Sequence, residues 1–305
     1  MSGSCQIALL SGGPSAEREV SLRSGAAVAG ALRALGHRVV EVDPVPGSLS
    51  LPAGTEVAFL TLHGTYGEDG QVQAELEALG VAYTGCGIEA SATAFDKAET
   101  KRRLLAAGVP TPRSGILSEA TAGWPEGWAP PVVLKPVRQG SSVGLQFVED
   151  RAGFAAALRE ALRHDREVLM EERISGREVT VGILDGRPLP VVEVRPAGGR
   201  YDYAHKYTEG RTEYLCPAPF DAAVTDGIQA VALAAFRAVG GRDYARVDVM
   251  VRPEGSPLVL EVNTLPGMTA TSLFPMAAAA SGLEFPELCQ RMVQLARQRG
   301  RLPGT

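Results

Sequence analysis

Four cysteines in 305 residues, none in a Cys-x-x-Cys pair, give neither a disulfide framework nor a zinc-ligand spacing. Cys5, Cys86, Cys216 and Cys289 read instead as reduced thiols of a cytoplasmic protein. No apolar run reaches the 18 or so residues that a membrane span needs, so no membrane role is expected. The opening MSGSCQIALL has no basic segment ahead of its short apolar run; it reads as a first strand and not as a signal peptide. With 30 basic against 35 acidic residues, a net charge of -5 and no basic cluster, the chain lacks a nucleic-acid footprint. It also lacks internal repeats, sustained heptads and low-complexity tracts, which sets aside solenoids and coiled coils.

What is present is ordinary globular composition, 45% hydrophobic and 21% charged, at a length that supports two or three packed units. The first ninety-odd residues alternate strand and helix. Strands are predicted at 7–10, 38–42 and 57–62. Between the first two, Val20, Ala27, Val28, Ala31, Leu32 and Leu35 fall on one helical face that stops at Gly36. This order implies a parallel sheet with helices packed on it. Farther on, a helix at 101–107 ends at Gly108 and a proline-rich connector. Strands at 132–134 and 145–148 flank a glycine- and serine-rich tip, a helix covers 151–164, and a buried strand lies at 168–170. The last part shows strands at 179–184 and 190–194, a long polar loop at 196–217, a helix at 222–239, and strands at 245–251 and 258–262. A loop of that length is usually a lid or a binding loop.

The strongest chemical signal is the pair Arg246-Val247-Asp248 and Glu261-Val262-Asn263 on two predicted antiparallel strands. Alternation puts Arg246 with Asp248, and Glu261 with Asn263, each on one strand face. Two carboxylates and an amide oxygen are hard ligands that suit Mg²⁺ bridging to phosphates. Directly after them, Thr264 to Thr269 and then Ser272 and Leu273 form a polar turn around Pro266 and Gly267, with backbone N–H groups to offer an anion. The loop Arg138-Gln139-Gly140-Ser141-Ser142-Val143-Gly144 lets backbone and hydroxyls approach a phosphate, though it is not a Walker loop and equally describes a flexible hairpin tip. Lys135, inside the apolar strand with Val133 and Leu134, needs an anion to offset its burial.

The strand through Leu169 and Met170 into Glu171, Glu172, Arg173 and Ile174, with Glu178 beyond, fits a purine pocket; taken alone it equally describes a strand ending at a solvated acidic turn. Glu17 follows the Gly12-Gly13-Pro14-Ser15 turn at a helix start, where anions bind and where carboxylates are also simply favourable. That turn lacks the glycine spacing of a dinucleotide site. His63 opens a glycine-rich loop at a strand carboxyl end, where open α/β sheets place ligands.

Taken together and in order, these residues resemble the D-alanine–D-alanine ligases of the ATP-grasp superfamily. The segments that carry the likeness are Ser15 to Ser21, His63-Gly64 with Gly67 to Gly70, Tyr83-Thr84-Gly85, Asp96-Lys97, Lys135-Pro136 and Gly140 to Gly144. Farther along they are Tyr201-Asp202-Tyr203, Lys206-Tyr207, Arg246 to Met250, Glu261 to Thr264 and Pro266 to Thr269.

The resemblance implies an α/β, three-domain ATP-grasp architecture. An N-terminal Rossmann-like unit would span 1–95, a central subdomain 96–184 and a C-terminal subdomain 185–305, the last carrying the metal site and the lid loop. It implies ATP-dependent joining of two D-alanines for peptidoglycan precursors, two Mg²⁺ ions with Mn²⁺ as an alternative, and a homodimer. By the same resemblance Lys97, Lys135, Ser141, Ser142 and Lys206 would meet the ATP phosphates, and Glu171, Ile174 and Glu178 the adenine and ribose. Asp248, Glu261 and Asn263 would hold the metals. Glu17 and His63 would serve the first D-alanine, and Ser272 and Leu273 the carboxylate of the second. Arg246 and the Gly267 backbone would stabilise the oxyanion, and Tyr207 would close over Ser141 and Glu17. The chain departs from its relatives at Glu172, where a lysine is common, and at Pro14, where a threonine is.

Overall fold

The computed structural model describes residues 4–121, 123–196 and 212–300. The apolar run near the start forms β1 (Gln6–Leu10), and α1 (Arg18–Ala34) crosses to β2 (Arg38–Val42). The chain continues through β3 (Val57–Leu60), α2 (Gln71–Ala78) and β4 (Ala82–Tyr83). These four strands pair in parallel in the order β2-β1-β3-β4. Parallel strands need crossover segments, so the loops that follow β1 and β3 emerge at one edge. That edge carries Glu17 and His63.

Two helices, α3 (Ile88–Phe95) and α4 (Lys97–Ala106), lead away from this sheet. Asp96 caps α4 by accepting a hydrogen bond from the Glu99 N–H at 2.9 Å, which explains why the helix starts at Lys97, four residues before the predicted start.

The second sheet contains β5 (Ser114–Ser118), β6 (Val132–Pro136), β7 (Gln146–Val148) and β8 (Glu167–Glu172), antiparallel in the order β5-β8-β6-β7. Its outer face is covered by α5 (Phe154–Ala161), whose Phe154, Leu158 and Ala161 pack on Leu134, Val148 and Met170. The predicted helix at 151–164 is regular only over that central stretch.

The third sheet holds β9 (Arg177–Leu184), β10 (Arg187–Pro188), β11 (Val192–Pro196), β12 (Thr212–Leu215), β13 (Tyr244–Val251) and β14 (Pro257–Asn263). Its order is β12-β11-β9-β13-β14, with β10 on β9. Helix α6 (Ala222–Ala238) buries Ile228, Ala232, Ala235 and Phe236 against this sheet. After α7 (Leu273–Ala280), the last helix α8 (Phe285–Gln298) returns to the first unit, where Cys289, Met292 and Val293 pack among Ile7, Leu9, Val28 and Leu32.

Two further expectations need revision. The buried face of α1 is Ser21, Ser24, Gly25, Val28, Ala29, Ala31 and Leu32, while Leu35 is 42% exposed. Small polar residues are buried there because the helix start presses on loops; a Cβ on Gly25 would lie 2.6 Å from the Ser11 Cβ. The supposed long loop at 196–217 contains β12, which pairs antiparallel with β11. Strand β9 pairs with β11 and β13 in the third sheet, so we propose that the second and third units divide between β8 and β9 and not at 184. Lys206 and Tyr207, with Tyr201, Asp202 and Tyr203, lie outside the described residues.

Burial raises the thiols of all four cysteines, Cys86 to about 11 and Cys289 to about 12. The thiolate is the reactive form. Cys86 and Cys289 should therefore resist a thiol reagent at pH 7.5 in the native protein and react only after unfolding. Rapid native labelling at either position, read by peptide mass, would contradict this packing.

Candidate active site

The two antiparallel sheets face one another across a cleft, and the first sheet closes one end of it. Two adjoining cavities occupy this region, of about 640 Å³ and 410 Å³. The larger is lined by Glu17, His63, Ser141, Asn263, Gly267 and Ser272. The smaller, between the sheets, is lined by Lys135, Ser142, Glu171, Ile174, Glu178 and Asp248. Lys97, Gln139, Arg246, Glu261 and Leu273 border both. The adjacent serines thus face different cavities, Ser141 the larger and Ser142 the smaller.

The junction is built by the β13–β14 pair. Arg246 lies opposite Asn263 and Asp248 opposite Glu261, a register that alternation alone does not fix. A register shift follows, so that Val249 pairs with Val259 and Leu260 is the extra residue. This bulge keeps Val259 and Val262 inward and turns both Leu260 and Glu261 toward the cavity. Arg246 is 7% exposed. Its Nε donates to Asp248 Oδ1 at 3.0 Å and its Nη2 to Oδ2 at 2.9 Å. Thr180 Oγ1 donates to Asp248 Oδ1 at 2.6 Å. Asn263 Oδ1 accepts from the Leu265 N–H at 3.1 Å.

Lysines supply positive charge on the opposite wall. Lys97, at the start of α4, donates to the Gln139 carbonyl and lies 3.9 Å from Glu261 Oε2. Burial lowers the Lys97 ammonium from its ordinary value, against the pull of Glu261. Lys135 Nζ lies 2.5 Å from Glu171 Oε2, and Lys101 meets Glu171 Oε1. Burial would raise the Glu171 carboxyl, but Lys135 and Lys101 outweigh it and hold it below its usual range. The anion that offsets the burial of Lys135 is therefore, in the first place, Glu171 itself. Glu172 pairs with Arg252 at 2.8 Å, bridging the two sheets at the cavity rim.

The serine loop is held against the first unit. Ser141 donates to Glu17 Oε1, and a Cβ on Gly140 would lie 2.8 Å from Glu17 Oε2. Ser141 and Ser142 both adopt left-handed backbone, φ 50° and 59°. Such conformations in residues with side chains cost roughly 1–3 kcal/mol each and concentrate at binding sites. Gly64, φ 66°, lets the next loop approach Glu17, since a Cβ there would sit 3.2 Å from its Oε2. His63 is buried beside it at 6% exposure. The turn after β14 is tied to α1 by the Met268 N–H donating to Ser24 Oγ at 3.2 Å. It is closed by the Thr269 N–H donating to Ser272 Oγ at 3.0 Å. Ser272 then precedes Leu273, the first residue of α7.

The structure brings together every described candidate. Gln139 and Glu68 lie in loops that the sequence singled out, but neither was named as a site residue; sequence reasoning missed Lys101, Thr212 and Tyr214 altogether. Only Lys101 carried a readable signal, lying one helical turn after Lys97 on the same face.

A parallel sheet joined to two antiparallel sheets that clasp a lysine- and carboxylate-lined cleft defines the ATP-grasp class. Family models described as the C-terminus and N-terminus of D-ala D-ala ligase match residues 118–294 and 41–86. The D-alanine–D-alanine ligase of Methylacidiphilum infernorum is 45% identical, covering 98% of this chain and 97% of the relative. That of Syntrophotalea carbinolica is 47% identical over 96% and 97%. Among solved structures, the D-alanine–D-alanine ligase of Bacillus anthracis superposes with a TM-score of 0.85 at 33% identity, over 97% of this chain and 98% of that one. Its complex with ATP gives 0.84 at 30% identity. The chain belongs to the D-alanine–D-alanine ligase family.

Proposed function

We propose that this protein uses ATP to join two D-alanines into D-alanyl-D-alanine, releasing ADP and phosphate. The observation that carries the reading is the meeting of two cavities at Lys97, Arg246 and Glu261. The cavity between the two antiparallel sheets, lined by Lys135, Ser142 and Glu178, suits a nucleotide, and the one lined by Glu17, His63 and Ser272 suits small zwitterions. A carboxylate oxygen of the first D-alanine attacks the γ-phosphorus of ATP; that P–O bond forms as the bond to the β-phosphate oxygen breaks. The amine nitrogen of the second D-alanine, having lost its proton, then attacks the acyl carbon, and the C–O bond to phosphate breaks.

The residues divide this work. Lys97 and Lys135 offset charge on the phosphoryl oxygens, the usual means of accelerating phosphoryl transfer. Glu178, Ile174 and the backbone beside Glu172 take the nucleoside end, because both oxygens of Glu171 are held by lysines. Glu17 holds the ammonium of the first D-alanine. Ser272 and the first-turn N–H groups of α7 from Leu273 onward receive the carboxylate of the second, since the first N–H groups of a helix have no intrahelical partner. Arg246, with the Gly267 N–H, faces the oxyanion of the tetrahedral intermediate; its charge cannot be lost and its fork is planar. Of the residues on the segment before β12, Lys206 binds ATP, and Tyr207 closes the site and excludes water from the acyl phosphate.

Asp248, Glu261 and Asn263 fit a magnesium site. Among the described residues no group of three or more His, Cys, Asp and Glu side chains converges. A cation held here must draw its other ligands from water and phosphate, which is the habit of Mg²⁺. When bound, two such ions, or Mn²⁺ in their place, would neutralise the transferring phosphate. We also propose a homodimer, checked by light scattering, and a cytoplasmic location, where ATP is available. Among the described residues no helix is long and apolar enough to cross a membrane.

Protein mixed with ATP, Mg²⁺ and D-alanine should yield D-alanyl-D-alanine by mass, with one phosphate per dipeptide and no product from L-alanine. Phosphate release only with some other acid and amine would overturn the substrate assignment. Within this reading, Gly140→Ala should lower the ligation rate roughly tenfold or more and raise the KM for D-alanine, since misplacing a reacting group by about 1 Å can cost 10²-fold. The new Cβ would displace Glu17. Unaltered kinetics would remove the Ser141–Glu17 contact from the site.

A further inference from the structure

Lys101 lines neither cavity, yet it is among the most deeply placed charged residues of the protein, 3% exposed. Its ammonium has three donors, and three acceptors surround it. These are Glu171 Oε1, Thr111 Oγ1 at 2.5 Å and the Pro112 carbonyl at 3.2 Å. Thr111 in turn donates to the Val259 carbonyl at 2.7 Å, two residues before Glu261. Lys101 thus joins α4, the connector to β5, β8 and, through Thr111, β14. It stands one turn from Lys97 on the same helix. Glu171, at 2% exposure, carries one lysine on each oxygen: Lys101 on Oε1 and Lys135 on Oε2.

The charge balance sets the roles. Within this buried trio one carboxylate stands between two ammonium groups and leaves one positive charge over, while Glu261 and Glu178, on the cavity wall, also act on Lys135. Lys101 is fully engaged with protein acceptors, whereas Lys135 borders the nucleotide cavity. The surplus charge is therefore presented by Lys135. Without Lys101, Glu171 would have Lys135 alone, and a one-to-one pair offers little attraction to a polyphosphate. Loss of one partner from a buried pair is also the costly way to break it.

We propose that Lys101 is a positioning residue for ATP: by holding Oε1 of Glu171 it offsets and orients that carboxylate, so that Lys135 presents its charge to the nucleotide phosphates. This rests on the ATP-dependent function proposed above. Lys101 touches neither nucleotide nor D-alanine and acts through Glu171.

The test measures binding of ATP and of adenosine by calorimetry, without D-alanine, to the full-length wild type, Lys101→Met, Glu171→Gln and the double variant. Adenosine lacks phosphates, so it separates an effect on charge from a general collapse of the pocket. Lys101→Met should weaken ATP about tenfold or more and leave adenosine within about twofold. In the Glu171→Gln background, where no carboxylate charge needs offsetting, Lys101→Met should change ATP affinity by less than about twofold. The second comparison decides the matter if Lys101→Met alone does not fold. Equal losses for ATP and adenosine, or the same loss from Lys101→Met with and without Glu171, would overturn the role of Lys101. A wild type that binds no ATP would instead overturn the proposed function, and this inference with it.

Discussion

Glu261→Gln is expected to lower the ligation rate by about 10²–10³-fold, the usual loss when one group that stabilises transition-state charge is removed, while the protein folds as before. The side chain is 39% exposed and lies at the junction of the two cavities, opposite Asp248. Its one close cation among the described residues, Lys97 at 3.9 Å, is a loose pair, so its loss should change stability little. Glutamine keeps the shape and one oxygen but removes the charge that a divalent ion bridging to phosphate needs. ADP release should fall steeply, and the Mg²⁺ concentration for half-maximal rate should rise. Normal turnover with an unaltered Mg²⁺ dependence would remove Glu261 from the metal site.

Arg246→Lys is expected to cost about 10²–10³-fold in kcat, even though the positive charge is kept. The guanidinium makes two hydrogen bonds to Asp248, at 3.0 and 2.9 Å, that a lysine cannot reproduce together. Asp248 would keep the Thr180 hydroxyl at 2.6 Å, so the strand pair should survive. If Arg246 acts on the oxyanion, kcat and kcat/KM for D-alanine should fall together and ATP affinity should hold, the mark of an interaction made only in the transition state. A rise in KM with kcat unchanged would assign Arg246 to ground-state binding.

The sequence-based reading succeeded where local pattern and chemistry coincide. The β13–β14 pair shows this: valines mark the inward face, and the antiparallel pairing brings Asp248, Glu261 and Asn263 to one region of the cleft. It did not show the bulge at Leu260, because plain alternation assumes an unbroken ladder, and only the partner strand reveals an extra residue. On α1 the apolar residues indicated one face, but Ser21, Ser24 and Gly25 are buried instead of Leu35. Close packing against loop backbone selects small residues, and hydrophobicity does not record that.

The amino-acid order alone determined the parallel first unit, the strand pair with its carboxylates, the serine–glycine loop and the need of Lys135 for an anion. Each of these follows from periodicity, turn chemistry or the cost of burying a charge, all of which act over a few residues. Only the tertiary structure decided that this anion is Glu171, shared with Lys101, and that Ser141 meets Glu17 across 124 positions of chain. It also decided that Ser141 and Ser142 face different cavities. These contacts join separate sheets, and no local preference encodes the distance between two parts of the chain until the cores that hold them have packed.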